Sequence, residues 1–264
     1  MNIGRKPAIL LIVCALAAIG GAGLYGAPQP MASAANPAPA GPVARKHQSP
    51  PRVVSRVRTQ EKVLALTFDD GPDPKYTPAV LAFARAKGVK LTFFVVGKQV
   101  QSYPELAKQE AAEGHAVGNH TWDHHIMTEL SQRQEVSEIQ RCDDVLDRIC
   151  GQHALLMRPP KGLWDEHTPR AAAALGYAVV LWSVELEHHP RRSAQQLAQR
   201  VIGLARPGMI ILAHDGEADR PTDRTKTMQA LPILVDGLRQ KGYRFVTVPE
   251  LMAIAATGSA SPSR

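Results

Sequence analysis

The chain has 264 residues and a mass of 28.6 kDa, enough for one large domain or two small ones. Hydrophobic residues make up 44%, charged residues 21% and aromatics 5%, which excludes collagenous and disordered classes and argues against a ring-lined carbohydrate-binding module; three cysteines exclude a small disulfide-stapled scaffold. The net charge of +7 favours polyanionic surroundings, but the basic residues are scattered without a run of five or six, so nucleic acid is not an expected partner.

In chain order, Arg5 and Lys6 precede an uncharged, apolar or Gly-containing stretch over 8–25, and Ala32-Ser33-Ala34 supplies a small-x-small cleavage pattern. Residues 1–34 are expected to be an export signal cleaved after Ala34, or an uncleaved membrane anchor, since the apolar stretch is just long enough to span a bilayer. Either reading puts the rest of the chain outside the cytoplasm, in the periplasm, the extracellular space or the cell envelope. Residues 35–60 lack apolar periodicity and read as a flexible linker. The folded domain is expected over 61–256, as a monomer, with a disordered tail over 257–264.

Within that domain a strand is predicted over 63–68, then a helix over 77–87 opened by Thr77-Pro78. A strand follows over 91–96, a helix over 103–113 stopped by Gly114, and a short strand over 116–118. Ser131 and Gln134 form a capping box for a long helix to about 149. Further strands are predicted over 155–157, 177–182, 209–213 and 244–248, with helices opening at Thr168-Pro169 and at the Ser193/Gln196 capping box, and another over 227–241. Alternating strands and helices give a parallel sheet, and seven strands suggest an α/β fold with a distorted (β/α) barrel, closed or incomplete. Cys142 and Cys150 lie eight positions apart in one helical pattern, about 12 Å on a straight helix. Two buried thiols are expected unless the helix ends before Cys150, because a disulfide needs less than about 7 Å.

Reactive side chains follow the predicted strands: Asp69 and Asp70, His120 and His124, Arg158, Glu185 and Glu187, then His214 and Asp215. In a parallel barrel all strand C-termini share one face, where these residues converge. His120 and His124, four apart, fit one helical turn gripping a metal ion; a carboxylate would complete two His plus one Asp, suited to Zn²⁺ or Fe²⁺. Thr121 stands where the zincin motif needs Glu, which excludes that protease class. Asp69 and Asp70 reach one site only if the strand ends in a turn, and Gly71-Pro72 supplies one. His214 ends a buried strand and can serve as a general acid.

Thr67-Phe68-Asp69-Asp70-Gly71-Pro72, His120-Thr121-Trp122-Asp123-His124, Arg158-Pro159-Pro160-Lys161-Gly162 and Leu212-Ala213-His214-Asp215 resemble, in order, the motifs of the polysaccharide deacetylases, carbohydrate esterase family four. The resemblance spans about 62–251 and implies a seven-stranded distorted barrel. It implies one divalent metal, usually Zn²⁺, held by Asp70, His120 and His124. It further implies Asp69 as general base toward the attacking water, the backbone N–H of Lys161 as oxyanion donor, His214 as the acid for the departing amine, and Leu212 lining the acetyl-methyl pocket. The substrate would be an N-acetylglucosamine polymer; an O-acetyl esterase on xylan-type glycans and a catalytically weak glycan-binding protein are the alternatives. Two departures stand out: Lys161 replaces a frequent Tyr, and Glu185-Leu186-Glu187-His188-His189 replaces an Asp…Asp-Trp pattern. The missing Asp would normally pair with Arg158, so either Glu185 or Glu187 takes its place or Arg158 is held differently.

Overall fold

The computed structural model describes residues 51–258 apart from 152, 190 and 217–221. The expected signal or anchor over 1–34 and most of the expected linker and tail lie outside the described residues. Among the described residues no helix is long and apolar enough to cross a membrane.

The strands are β1 (Val53–Val54), β2 (Val63–Asp69), β3 (Thr92–Val95), β4 (Ala116–Asn119), β5 (Leu156–Met157), β6 (Ala178–Val180), β7 (Val184–Glu185), β8 (Met209–His214) and β9 (Arg244–Phe245). The helices are α1 (Thr77–Lys87), α2 (Gly97–Ser102), α3 (Pro104–Ala112), α4 (Gln132–Cys150), α5 (Thr168–Ala174), α6 (Ala194–Leu204), α7 (Thr225–Gln240) and α8 (Val248–Gly258). One sheet runs β1-β6-β5-β4-β3-β2-β8-β7, with β9 also on β2. Its ladders are parallel, which the intervening helices make possible. The sheet curls into an incomplete α/β barrel.

Strand β2 is the axis of this fold, buried along all seven residues. Alternation divides its side chains. Leu64, Leu66 and Phe68 join the layer under the helices with Val80, Leu81, Leu231 and Leu234. Val63 and Ala65 point the other way and pack with Phe94, Val180, Ile210, Val248 and Leu251. Helix α8 therefore closes one end of the barrel interior, and the polar Thr67 and Asp69, next on the same face, lie toward the other end.

The structure adds two strands to the seven expected. Both β1 and β7 are two residues long, too short to show as an apolar run. The segment expected to be linker as far as residue 60 is part of the fold: Val53 and Val54 pair with Val179 and Val180, Val57 N–H donates to Gly208 O at 2.9 Å, and Arg56 bridges Met209. Val54 and Val57 are buried, so this arm spans the gap between the sheet edges as part of the core. The strand expected over 244–248 stops at Phe245, and Val248 opens α8. Thr247 N–H donates to Glu250 Oε2 at 2.7 Å, a capping interaction legible in Thr247-Val248-Pro249-Glu250. Helix α8 runs to Gly258, into the expected tail. Cys142 and Cys150 both lie on α4 as free thiols, one buried and one half-buried.

Candidate active site

Seven of the residues singled out in sequence line one cavity of about 140 Å³: Asp69, Asp70, His120, His124, Lys161, Leu212 and His214, joined by Trp182. The topology explains the meeting. Asp69 ends β2 directly opposite His214, which ends β8 in register. His120 follows β4 and Arg158 follows β5.

Asp70 adopts a left-handed backbone, φ 76°, and this turns its carboxylate onto the side where Asp69 already points. The turn is tightly packed: a Cβ on Gly216 would fall 2.2 Å from Asp70 O. Asp70 Oδ1 lies 3.6 Å from His120 Nε2 and 3.4 Å from His124 Nε2. All three residues are buried, and their donor atoms lie within 4.8 Å of one another. His120 Nδ1 is 2.7 Å from the Arg158 carbonyl. A carbonyl only accepts, so Nδ1 carries a proton and Nε2 is the ring nitrogen turned to Asp70. Two imidazoles and one carboxylate with an open side fit a divalent ion of the Zn²⁺ type. Burial pushes Asp70 up, but the His120 contact and the charges of His214, His120 and His124 outweigh it and hold the carboxyl well below the usual range. Arg224 Nη2 lies 3.3 Å from Asp70 Oδ2.

The histidine pair does not sit on a helical turn as expected. Residues 120–126 form a loop with left-handed backbone at Thr121 (φ 69°) and His124 (φ 63°). The spacing of four still brings the rings together, with centroids 5.1 Å apart.

Arg158 is fully buried and holds Asp69: Nη1 donates to Asp69 Oδ1 at 2.6 Å and to Thr67 Oγ1 at 2.8 Å. Its Nε and Nη2 donate to the carbonyls of Val180 (3.0 Å) and Leu181 (3.1 Å). The guanidinium lies 4.1 Å from the Phe94 ring centroid. The expectation that Glu185 or Glu187 pairs with Arg158 is thereby corrected. Strand β7 adjoins β8 on the far side of β2 from β5 and β6, so its acids meet a different partner. Glu187 Oε2 lies 2.9 Å from His214 Nδ1, and its Oε1 accepts from Thr227 Oγ1 at 2.7 Å and from His214 N–H at 3.1 Å. Glu185 lies 3.8 Å from His188. Burial disfavours a charged His214, but Glu187, then Asp70 and Asp69, outweigh it and raise the ring to about 9. Glu187 in turn is lowered by His214 and Thr227 against its own burial.

Lys161 sits in the turn Pro160–Gly162 with φ 57°. Gly162 packs against Trp182, whose ring a Cβ would meet at 2.5 Å. Sequence reasoning missed Thr67, Trp182 and Arg224. Thr67 was findable, two residues before Asp69 on the same strand face; Arg224 comes from a loop with no local signal.

The polysaccharide deacetylase family model matches residues 56–180. A peptidoglycan-N-acetylglucosamine deacetylase of Bacillus cereus is 38% identical over 213 residues, covering 79% of this chain and 97% of that one. A chitooligosaccharide deacetylase of Azorhizobium caulinodans is 32% identical, covering 74% and 97%. The crystal structure of the Bc1960 peptidoglycan N-acetylglucosamine deacetylase superposes with a TM-score of 0.72 at 31% identity, covering 76% of this chain and 92% of that one. With relatives of this identity covered almost end to end, and with the order of motifs along one parallel sheet, the chain belongs to the polysaccharide deacetylase family.

Proposed function

We propose that this protein is an exported, divalent-metal-dependent hydrolase that removes N-acetyl groups from an N-acetylglucosamine-containing polysaccharide such as peptidoglycan, a chitooligosaccharide or poly-N-acetylglucosamine. The observation that carries this reading is the pairing of an acid and a histidine across one cavity, each held by a partner of opposite charge: Asp69 fixed by Arg158, and His214 fixed by Glu187. An amide is a poor electrophile, and its nitrogen leaves only when protonated, so base and acid on opposite sides are the minimum set.

Asp70, His120 and His124 would hold the metal. Such an ion, when bound, lowers the pKa of water and polarises a carbonyl. Asp69, with one oxygen engaged by Arg158, takes the proton from the attacking water. The Lys161 backbone N–H supports the developing oxyanion. His214 gives its ring proton to the departing nitrogen. Leu212 offers an apolar wall to the acetyl methyl, with Trp182 beside it. A protonated His214 meets the need of an amide, whose nitrogen leaves only when protonated, and the same groups would also serve an easier ester. Export is read from the basic start, the apolar stretch and Ala32-Ser33-Ala34.

The test is mass analysis of acetyl loss from acetylated chitooligosaccharides, peptidoglycan and poly-N-acetylglucosamine, beside acetylated xylan, with Zn²⁺-loaded protein. Free amines on at least one amide substrate are expected. Acetyl loss from xylan alone would replace this reading with an O-esterase, and glycan binding without turnover would replace it with a lectin-like role. The mature protein recovered from the producing cell should begin at Ala35 if the signal is cleaved.

A further inference from the structure

We propose that Glu138 is a positioning residue for the two-histidine loop, setting the metal affinity of the site without being a ligand; the inference rests on the metal reading above. The loop between His120 and His124 carries two left-handed residues, Thr121 and His124, neither of them glycine. A backbone in that region keeps its shape only when its surroundings over-determine it. Its amides show what does so. Thr121 N–H donates to Asn119 Oδ1 at 2.8 Å, and His124 N–H to Thr121 Oγ1 at 3.1 Å. On the carbonyl side, Gly97 N–H donates to Thr121 O and Lys98 N–H to Trp122 O, at 3.0 and 2.8 Å.

The two remaining amides between the ligands, those of Trp122 and Asp123, both converge on one carboxylate oxygen of α4. Glu138 Oε2 accepts from Trp122 N–H at 3.2 Å and from Asp123 N–H at 3.3 Å. Glu138 is buried, 7% exposed, an unusual place for a carboxylate. Glu138, Asp123 and His125 offer donor atoms within 4.8 Å of one another, but the Arg141 guanidinium stands 3.8 Å from Glu138 Oε1. Lys98 Nζ lies 2.9 Å from the neighbouring Asp123, which further disfavours a second cation there. The next residue of α4 holds the start of the loop, as Asn119 Nδ2 donates to Ile139 O at 2.9 Å. One turn of α4 thus holds the residue before the first imidazole and the middle of the segment that spaces the two. Groups of this outer kind typically change metal affinity by about 10- to 100-fold when removed.

Reach, not charge, should decide the effect, and three substitutions separate the two. Glu138→Asp keeps the charge but shortens the side chain by one methylene. Glu138→Gln keeps the length and an acceptor oxygen. Glu138→Ala loses both. Each metal-free protein, checked for native circular dichroism, is titrated with Zn²⁺ against a chromogenic chelator. The expected result is a dissociation constant raised about tenfold or more in Glu138→Asp and Glu138→Ala, with Glu138→Gln close to wild type and activity of the weakened variants restored by excess Zn²⁺. Wild-type affinity in folded Glu138→Asp would overturn the proposal, and so would a Glu138→Gln as weak as Glu138→Ala. Should Glu138→Ala not fold, the Asp/Gln pair decides alone. A wild-type protein that takes up no Zn²⁺ would instead sink the metal reading itself.

Discussion

Two acids, the buried Asp69 and the half-buried Glu187, end up beside different cations, and those partners define their chemistry. Arg158 donates to four acceptors at once, on Asp69, Thr67 and the carbonyls of Val180 and Leu181. A lysine is a single point charge and cannot serve a fork of that shape. Arg158→Lys should therefore lower kcat/KM by about 100-fold through a misplaced Asp69. Arg158→Met, which leaves the acid buried and unpaired, should cost about 3–5 kcal/mol; urea unfolding measures it. At the other acid, burial alone would discharge His214, yet Glu187 holds its pKa at about 9. A general acid works only while protonated, so the alkaline limb of kcat/KM should fall near pH 9 and move down by about one to two pH units in Glu187→Gln. The stability that the pair contributes is full below the ordinary histidine value of 6.5 and fades as pH rises through about 9. A Glu187→Gln limb that stays put would show that Asp70 and Asp69 suffice. At this scale the five central residues were legible, because each lies at or just beyond the end of a predicted strand, His124 by its spacing of four from His120. The partnership of Glu187 was not: it depends on β7 lying next to β8 rather than next to β5, a fact of topology.

Elements were legible in proportion to their length. Strands β2 and β8 are long enough to show apolar runs, and the Ser131/Gln134 and Ser193/Gln196 capping boxes start α4 and α6 as expected. Strands β1 and β7 are two-residue pairings whose existence is decided by their neighbours. Helix α8 was hidden because Val246-Thr247-Val248 reads as strand, while Thr247 and Glu250 carried the opposing capping signal. The helix fills the closed end of the barrel with Val248 and Leu251, both fully buried. Leu251→Ala should cost about 2–5 kcal/mol, with a residual cavity far from the chemistry. The denaturation midpoint should fall while kcat at a temperature well below the transition stays within about twofold of wild type. The arm at β1 gives a second test of the same kind. A chain beginning at residue 51 should fold as the parent does. One beginning at residue 61 loses the Val53–Val54 ladder and the buried Val57, and its thermal midpoint should fall.

Across the whole domain, the apolar clusters hold the sheet to its helices and to α8, and the candidate metal ligands stand on turns that leave the strands at the opposite end. The fold therefore needs no ion to form its core, while the ligand set gathers a buried carboxylate and two imidazoles that an ion would compensate. This predicts a separation of effects on metal removal. Chelation should abolish acetyl release and leave far-UV circular dichroism unchanged. Adding Zn²⁺ back at about 100 times its dissociation constant should stabilise the native state by about 2.7 kcal/mol, a rise in melting temperature of about 5–10 °C for a domain of this size. Asp70→Asn, which keeps the side-chain shape but removes the anionic ligand, should lose most of that rise. Glu187→Gln should keep it, because Glu187 bonds His214 and Thr227 and not the ligand set. A chelated protein that unfolds would mean the cavity is a structural metal centre, and an equal rise in Asp70→Asn would place the ion elsewhere in the molecule.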